Sequence, residues 1–133
     1  MNVLETKLKL CGSNPLTGYD RNGYCNVNMD DIGTHLVCAI VTQDFLDFTY
    51  SKGNDLINPT NGFPGLKPGD RWCLCVFRWI EAYNNGFAPY IDLERTPYVV
   101  KEKYIPLHIL FQYDYRKYIK LRQNSNKNYP FSK

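Results

Sequence analysis

The sequence has no long apolar segment. Its longest apolar run extends from Leu36 to Val41, whereas a membrane-spanning helix needs roughly 20 apolar residues. The first residues, Met-Asn-Val-Leu-Glu-Thr-Lys, also lack the basic start and the apolar stretch of a secretion signal. These two absences predict a cytoplasmic protein that does not span a membrane.

A strong excess of one charge is missing as well. The formal net charge is +3 over 133 residues, whereas dedicated nucleic-acid-binding domains are usually more basic. Tyrosines do alternate with lysines and arginines over residues 113–122, and such a pattern can stack on bases and contact phosphates. An amphipathic helix with a solvated charged face explains the same pattern more simply. Nucleic-acid binding is therefore not expected.

The composition is that of a globular domain. Hydrophobic residues make up 44% of the chain and charged residues 22%, and a chain of this length buries enough apolar surface for one core. Residues 1–122 are predicted to form a single domain. Residues 123–133 are polar and predict a disordered C-terminal tail.

Periodicity in the sequence predicts an α+β fold. Apolar residues alternate or run continuously where strands are expected, and they recur at helical spacing where helices are expected. The predicted strands cover residues 4–10, 35–41, 90–95 and 98–105. The predicted helices cover residues 42–53, 70–85 and a segment from 107 onward. About four strands and three helices that do not alternate strictly indicate a two-layer α/β sandwich.

The predicted helix at 70–85 bears directly on function. Asp70 would cap its start and Gly86 would end it. Apolar residues between them, including Trp72, fall on one arc when the chain turns by roughly 100° per residue. Cys73 and Cys75 would then lie in the first turn, about 200° apart around the helix.

Two long segments rich in Gly, Pro and Asn, residues 11–34 and 53–75, are predicted to contain ordered polar loops. Such loops on a small scaffold often have a function. The turn from Gly65 to Arg71 would lead into a helix start, where anions bind, although a tight turn with Asp70 as the helix cap explains the same residues more simply. We therefore predict a small binding or enzyme-accessory domain whose site is built from both loops and takes a small anionic ligand. The candidate binding residues are Arg21, Asp55, Lys67 and Arg71, with His35 and Cys75 near them.

The chain has five cysteines. An odd number, in a chain without an export signal, argues against a disulfide framework. Three interpretations stay open: buried core thiols, which is the simplest one, a reactive cysteine, or a zinc site. The five are Cys11, Cys25, Cys38, Cys73 and Cys75.

Zinc binds about four sulfur or imidazole ligands. The candidate ligands are Cys11, Cys25, His35, Cys38, Cys73 and Cys75. The predicted structure separates two pairs of them, because Cys73 and Cys75 diverge on a helix and His35 and Cys38 point to opposite faces of a strand. The spacing therefore argues against a structural zinc site, which stays open as an alternative.

A thiol-dependent enzyme or redox protein is the other alternative. Cys75, and after it Cys73, are the candidate nucleophiles, because a helix start and the neighbouring Arg71 favour the thiolate form of a cysteine. His35 is the candidate general base, provided that the fold brings it near. Whether the protein is an enzyme stays open.

The chain resembles a known family over about residues 4–110. The matching segments are CGSNPLTGYDRNG at 11–23, GTHLVCA at 33–39, KGNDL at 52–56, GFPGLKPGDRWCLC at 62–75, and RW and EA at 78–79 and 81–82. The family is catalogued as domain of unknown function 2237. The resemblance implies a two-layer α/β sandwich and no activity, substrate or cofactor. The family pattern includes the five cysteines and His35, and it often has a further cysteine where this chain has Tyr24.

Overall fold

The structure, a computed structural model, describes residues 1–128. In this part of the chain three strands form one antiparallel sheet in the order β2-β1-β3. The strands are β1 (His35–Ile40), β2 (Arg71–Cys75) and β3 (Tyr90–Ile91). The α-helices are α1 (Gln43–Ser51), α2 (Val76–Asn84), α3 (Val99–Lys103), α4 (Leu107–Gln112) and α5 (Tyr115–Asn128). The predicted α+β class is confirmed, although strands and helices differ in number from the prediction.

The segment that contains β1 and α1 forms as its sequence predicts. β1 is the central strand and is buried along nearly its whole length, as its continuous apolar sequence requires. Thr42 caps α1, and its hydroxyl accepts a hydrogen bond of 3.1 Å from the backbone N–H of Phe45. Gly53 follows the helix with a φ of 89°, a conformation that glycine adopts without strain.

The predicted helix at 70–85 is wrong in its first half. Residues 71–75 form β2, and α2 begins only at Val76. Trp72, Cys73 and Leu74 are all buried, and a short apolar run fits a buried strand as well as a helical stripe. Pairing with β1 decides between the two. Asp70 caps a turn instead, because its carboxylate accepts a hydrogen bond from the backbone N–H of Lys67.

Two other predicted strands are wrong. Residues 4–10 form no strand, because the side chain of Asn2 accepts hydrogen bonds from the backbone N–H groups of Leu4 and Thr6 and so turns the chain. Most of the predicted strand at 98–105 is α3, whose backbone groups bond locally, as in the 3.0 Å bond from Tyr104 N–H to the Val100 carbonyl. The strand predicted at 90–95 is reduced to β3 and a 3₁₀ turn at Leu93–Arg95.

The predicted third helix is divided in two. The carbonyl of Tyr113 accepts a hydrogen bond from Ile91 N–H and therefore cannot continue α4. Asp114 then starts α5, since its carboxylate accepts from the backbone N–H of Arg116. α5 extends to Asn128, into the segment that we expected to be disordered. Residues 129–133 lie outside the described residues, and their disorder stays a prediction.

The sheet separates two clusters of buried side chains. Val37 and Leu74 are cross-strand partners and belong to the main hydrophobic core, together with the buried side of α2. Cys38 and Cys73 are the next pair along the strands, so their side chains point to the opposite face. There they join Cys11 and Cys25 in a second cluster, which we call the cysteine cluster. The 11–34 loop therefore covers the face of the sheet that the main core leaves open.

Candidate binding pocket

A pocket of about 530 Å³ lies where the two predicted loops meet beside β2. Both loops contribute to its wall, so the structure brings together the segments from which we predicted a site. Three of the predicted site residues, Arg21, His35 and Asp55, line it. The full lining consists of Gly18, Tyr19, Arg21, His35, Asp55, Leu56, Phe63, Trp72 and Cys73.

Trp72 connects the two loops. The guanidinium carbon of Arg21, from the first loop, lies 5.0 Å from the Trp72 ring centroid. The ring of Phe63, from the second loop, packs edge-on against Trp72 with a centroid separation of 5.1 Å. Cation–π and edge-to-face contacts of this kind are attractive. Trp72 is fixed by β2 and only 6% exposed, and it therefore holds both loops at the pocket.

Arg21 is the one arginine among the residues that line the pocket. One of its Nη atoms donates a 2.7 Å hydrogen bond to the carbonyl of Gly18, and the residue has a φ of 55°, which few non-glycine residues adopt. Gly18 fits closely beneath this turn, since a Cβ there would lie 2.4 Å from the carbonyl oxygen of Tyr24. Among the ion pairs of the described residues, none includes Arg21. Its remaining N–H groups therefore stay available for a ligand.

His35 is held by Asp31. Its Nδ1 lies 2.7 Å from one carboxylate oxygen of Asp31, and its backbone N–H donates to the other oxygen at 2.8 Å. An ionised carboxylate only accepts, so Nδ1 is the protonated nitrogen in this pair and Nε2 is left to exchange a proton. Gly33 makes room for the ring, because a Cβ at Gly33 would lie 2.3 Å from Cε1 of His35.

Asp55 stabilises its own loop. Its carboxylate accepts hydrogen bonds from the backbone N–H groups of Ile57 and Asn58 and from the Asn58 side chain. These bonds to Asn58 lower the pKa of the Asp55 carboxyl below its usual 3.8. Three donors hold the carboxylate, so Asp55 shapes the second loop and, with its lowered pKa, keeps a negative charge at the pocket.

Two predicted binding residues lie elsewhere. Lys67 lines a second cavity of about 330 Å³ together with Asp70. The guanidinium of Arg71 bonds the carboxylate of Asp92 at 2.7 Å and lies 5.4 Å from the ring centroid of Tyr115. The guanidinium of Arg71 is therefore engaged by Asp92 and Tyr115, and these contacts hold β2 to the rest of the fold.

The expectation that the cysteines form no disulfides is wrong. Cys11 is bonded to Cys38, and Cys25 is bonded to Cys73. The odd number of cysteines that suggested otherwise is explained by Cys75, which remains a free, half-buried thiol. Each disulfide ties the irregular 11–34 loop to a strand of the sheet.

Four of the six candidate zinc ligands converge. The sulfur atoms of Cys11, Cys25 and Cys38 lie within 4.8 Å of one another, and Cys73 completes the buried cysteine cluster. Zinc binds thiolates, whereas these four sulfurs are bonded in pairs. In this disulfide-bonded form the cysteine cluster therefore offers no zinc site.

His35 and Cys75 are cross-strand partners outside the cysteine cluster. An irregularity in the pairing between His35 and Val37 shifts the alternation of β1. His35 therefore lies on the same face as the Cys38–Cys73 pair, and the separation predicted from a regular strand is wrong. Cys73 and Cys75 also share a face, since residues two apart on a strand do. Cys75 is the N-cap of α2 and does not line the pocket.

The chain matches a family model over residues 1–114, and that family is described as an uncharacterized protein conserved in bacteria, domain of unknown function 2237. The chain belongs to this family. The match confirms the resemblance and extends it to the N-terminus, where Asn2 is fully buried. No curated protein matches the chain. Membership of domain of unknown function 2237 brings no activity with it, so the function has to be inferred from the pocket itself.

The sequence did not point to the apolar wall of the pocket. The predicted helix included Trp72, and Leu56 and Phe63 lie in a loop. Large apolar residues within a Gly- and Pro-rich loop were the only available indication. Separately, no helix in the described part of the chain combines the length and apolar content needed to cross a bilayer.

Proposed function

We propose that the protein binds a small anionic molecule with an apolar or aromatic part in the pocket between the 11–34 and 53–75 loops. The observation behind this proposal is Arg21, a pocket guanidinium without an ion pair among the described residues, which lies over Trp72. An arginine in such a position can donate two parallel hydrogen bonds to a carboxylate or a phosphate.

The chemistry of the wall supports a ligand with two different ends. Leu56, Phe63 and Trp72 provide apolar surface, whereas Arg21 and His35 provide polar groups. The one carboxylate among the residues that line the pocket, that of Asp55, is held by its own turn, and the anionic end of the ligand is therefore assigned to Arg21. A mainly apolar cavity with a few polar groups, of about 530 Å³, is typical of sites for small molecules.

We also propose that the protein acts in the cytoplasm. Stable disulfides are rare in that compartment, and cytoplasmic disulfides in mesophiles are usually catalytic or redox-sensing. A cytoplasmic location would thus favour a chemical role for the cysteine cluster.

Benzoate and its neutral isostere benzamide test the proposed ligand class by calorimetric titration. We expect benzoate to bind the wild-type protein about tenfold more tightly than benzamide, because a charge-assisted bond to Arg21 contributes about 1.4 kcal/mol. Arg21→Met keeps the length of the side chain and removes the charge, and it should abolish this difference. Lys67→Met is the matched control, since it removes the same charge outside the pocket and should preserve the difference.

Equal affinities of the wild-type protein for benzoate and benzamide would contradict the proposal. A preference for benzoate that survives in Arg21→Met and disappears in Lys67→Met would contradict it as well, because it would place the anion in the second cavity.

A further inference from the structure

We propose that the Cys25–Cys73 disulfide undergoes thiol–disulfide exchange with a small anionic thiol bound in the pocket. This inference rests on the proposed function, because it identifies the ligand class of the same pocket. It goes beyond binding, since it assigns a redox reaction to the pocket and to the cysteine cluster behind it.

The position of Cys73 supports this reaction. Cys73 is the one cysteine among the residues that line the pocket, and Cys25, to which it is bonded, is fully buried. A thiol held by Arg21 therefore meets the disulfide from the side of Cys73. Cys73 is only 1% exposed in total, so a thiol reaches its sulfur through the pocket that Cys73 lines or not at all. Access through the pocket makes the reaction selective for thiols that the pocket binds.

The incoming thiols supply all the electrons that reduce the protein disulfide, and no other reductant is needed. The substrate thiolate attacks Sγ of Cys73, a bond forms between these two sulfurs, and the Cys25–Cys73 bond breaks with its electron pair on Cys25. A second substrate thiolate then attacks the substrate sulfur of this mixed disulfide and releases Cys73 as a thiolate. Two substrate thiols are oxidised to one disulfide, and the protein disulfide is reduced to two thiols.

His35 is placed to receive the proton of the incoming thiol. His35 lines the pocket, and Asp31 binds Nδ1 and thereby leaves Nε2 as the proton acceptor. The thiolate is the attacking species in exchange, so a base in the pocket raises the fraction of bound ligand that can react. Asp31 acts here as a positioning residue, because it contacts His35 and does not line the pocket.

The second disulfide lies next to the first. The sulfur of Cys25 lies within 4.8 Å of the sulfurs of Cys11 and Cys38. Once reduction releases Cys25 as a thiolate, it can attack the Cys11–Cys38 disulfide and form a new bond to one of its sulfurs, with the electron pair passing to the other. The two disulfides of the cysteine cluster are therefore close enough to exchange with each other, and one of them, Cys25–Cys73, borders the pocket.

The test compares 3-mercaptopropionate with neutral 2-mercaptoethanol, and it uses the full chain with Cys75→Ala so that every new thiol derives from a disulfide. The rate of thiol release is divided by the thiolate concentration of each reagent. We expect 3-mercaptopropionate to react at least fivefold faster per thiolate, because Arg21 concentrates anions in the pocket. Arg21→Met should remove this advantage, and Lys67→Met should retain it. Peptide mapping of the trapped mixed disulfide should find the reagent on Cys73.

Two results would overturn the inference. One is an equal rate per thiolate for the two reagents, and the other is a first adduct on Cys11 or Cys38. The failure of this inference is distinguishable from the failure of the proposed function. If benzoate still binds in an Arg21-dependent manner and exchange shows no charge preference, the pocket binds anions and does not react with thiols. If neither measurement depends on Arg21, both proposals fall.

Discussion

Replacement of Cys25 and Cys73 together by alanine should lower the free energy of unfolding by about 4 kcal/mol. The disulfide closes a loop between residues 48 positions apart, and a cross-link of this span lowers the entropy of the unfolded chain by an amount worth about 4 kcal/mol at 25 °C. For a domain of this length the melting temperature should fall by about 10–15 °C. Thermal unfolding followed by circular dichroism, without a reductant, measures the difference.

Cys75→Ala is the control for this prediction. Cys75 is a free thiol, so its replacement closes or opens no loop. We expect a change in melting temperature of less than about 3 °C, since loss of a half-buried sulfur costs about 1 kcal/mol or less. Equal melting temperatures for the wild-type protein and the Cys25→Ala, Cys73→Ala double variant would mean that the disulfide is not formed in the folded protein.

Trp79→Ala should destabilise the fold by about 3–5 kcal/mol, which is the usual cost of removing a large buried aromatic side chain. Trp79 lies on α2 and is 1% exposed. Its indole N–H donates a 3.0 Å hydrogen bond to the carbonyl of Pro89, and its ring packs against Tyr83 and Tyr113. Urea denaturation with tyrosine fluorescence or circular dichroism as the readout measures the loss.

Phe77→Ala on the same helix is the matched control. The side chain of Phe77 is 57% exposed and contacts the ring of Tyr104 edge-on. Its removal should cost about 1 kcal/mol or less, because little apolar surface is returned to water. Similar losses for Trp79→Ala and Phe77→Ala would show that α2 does not pack on the sheet as described.

Local sequence determined how well each part of the fold could be predicted. Thr42 and Gly53 mark the two ends of α1 through side-chain and backbone preferences that act within a few residues, and that helix was predicted correctly. β2 was not, because the short apolar run from Trp72 to Cys75 fits a buried strand and a buried helix segment alike. Only pairing with β1, which begins 36 positions before β2, distinguishes the two. No local pattern contains that information.

The site shows the same division. Arg21, His35 and Asp55 were predicted because loops rich in Gly, Pro and Asn usually position functional side chains, and the pocket contains all three. Lys67 and Arg71 were grouped with them because the turn from Gly65 to Arg71 was expected to lead into a helix start, yet it leads into β2, and Arg71 is bound by Asp92. The cysteine pairing could not be predicted either, because spacing does not determine connectivity.

The measurement that tests the account most directly is a titration of ¹⁵N-labelled protein with benzoate, followed by nuclear magnetic resonance. The pocket predicts that the largest shifts belong to the indole N–H of Trp72 and to the backbone amides of Gly18, Arg21 and Phe63, which come from both loops and from β2. Arg21→Met should greatly reduce these shifts. If the largest shifts instead fell on Lys67 and Asp70, or were spread over the surface without saturation, the two loops would not form the binding site that we describe.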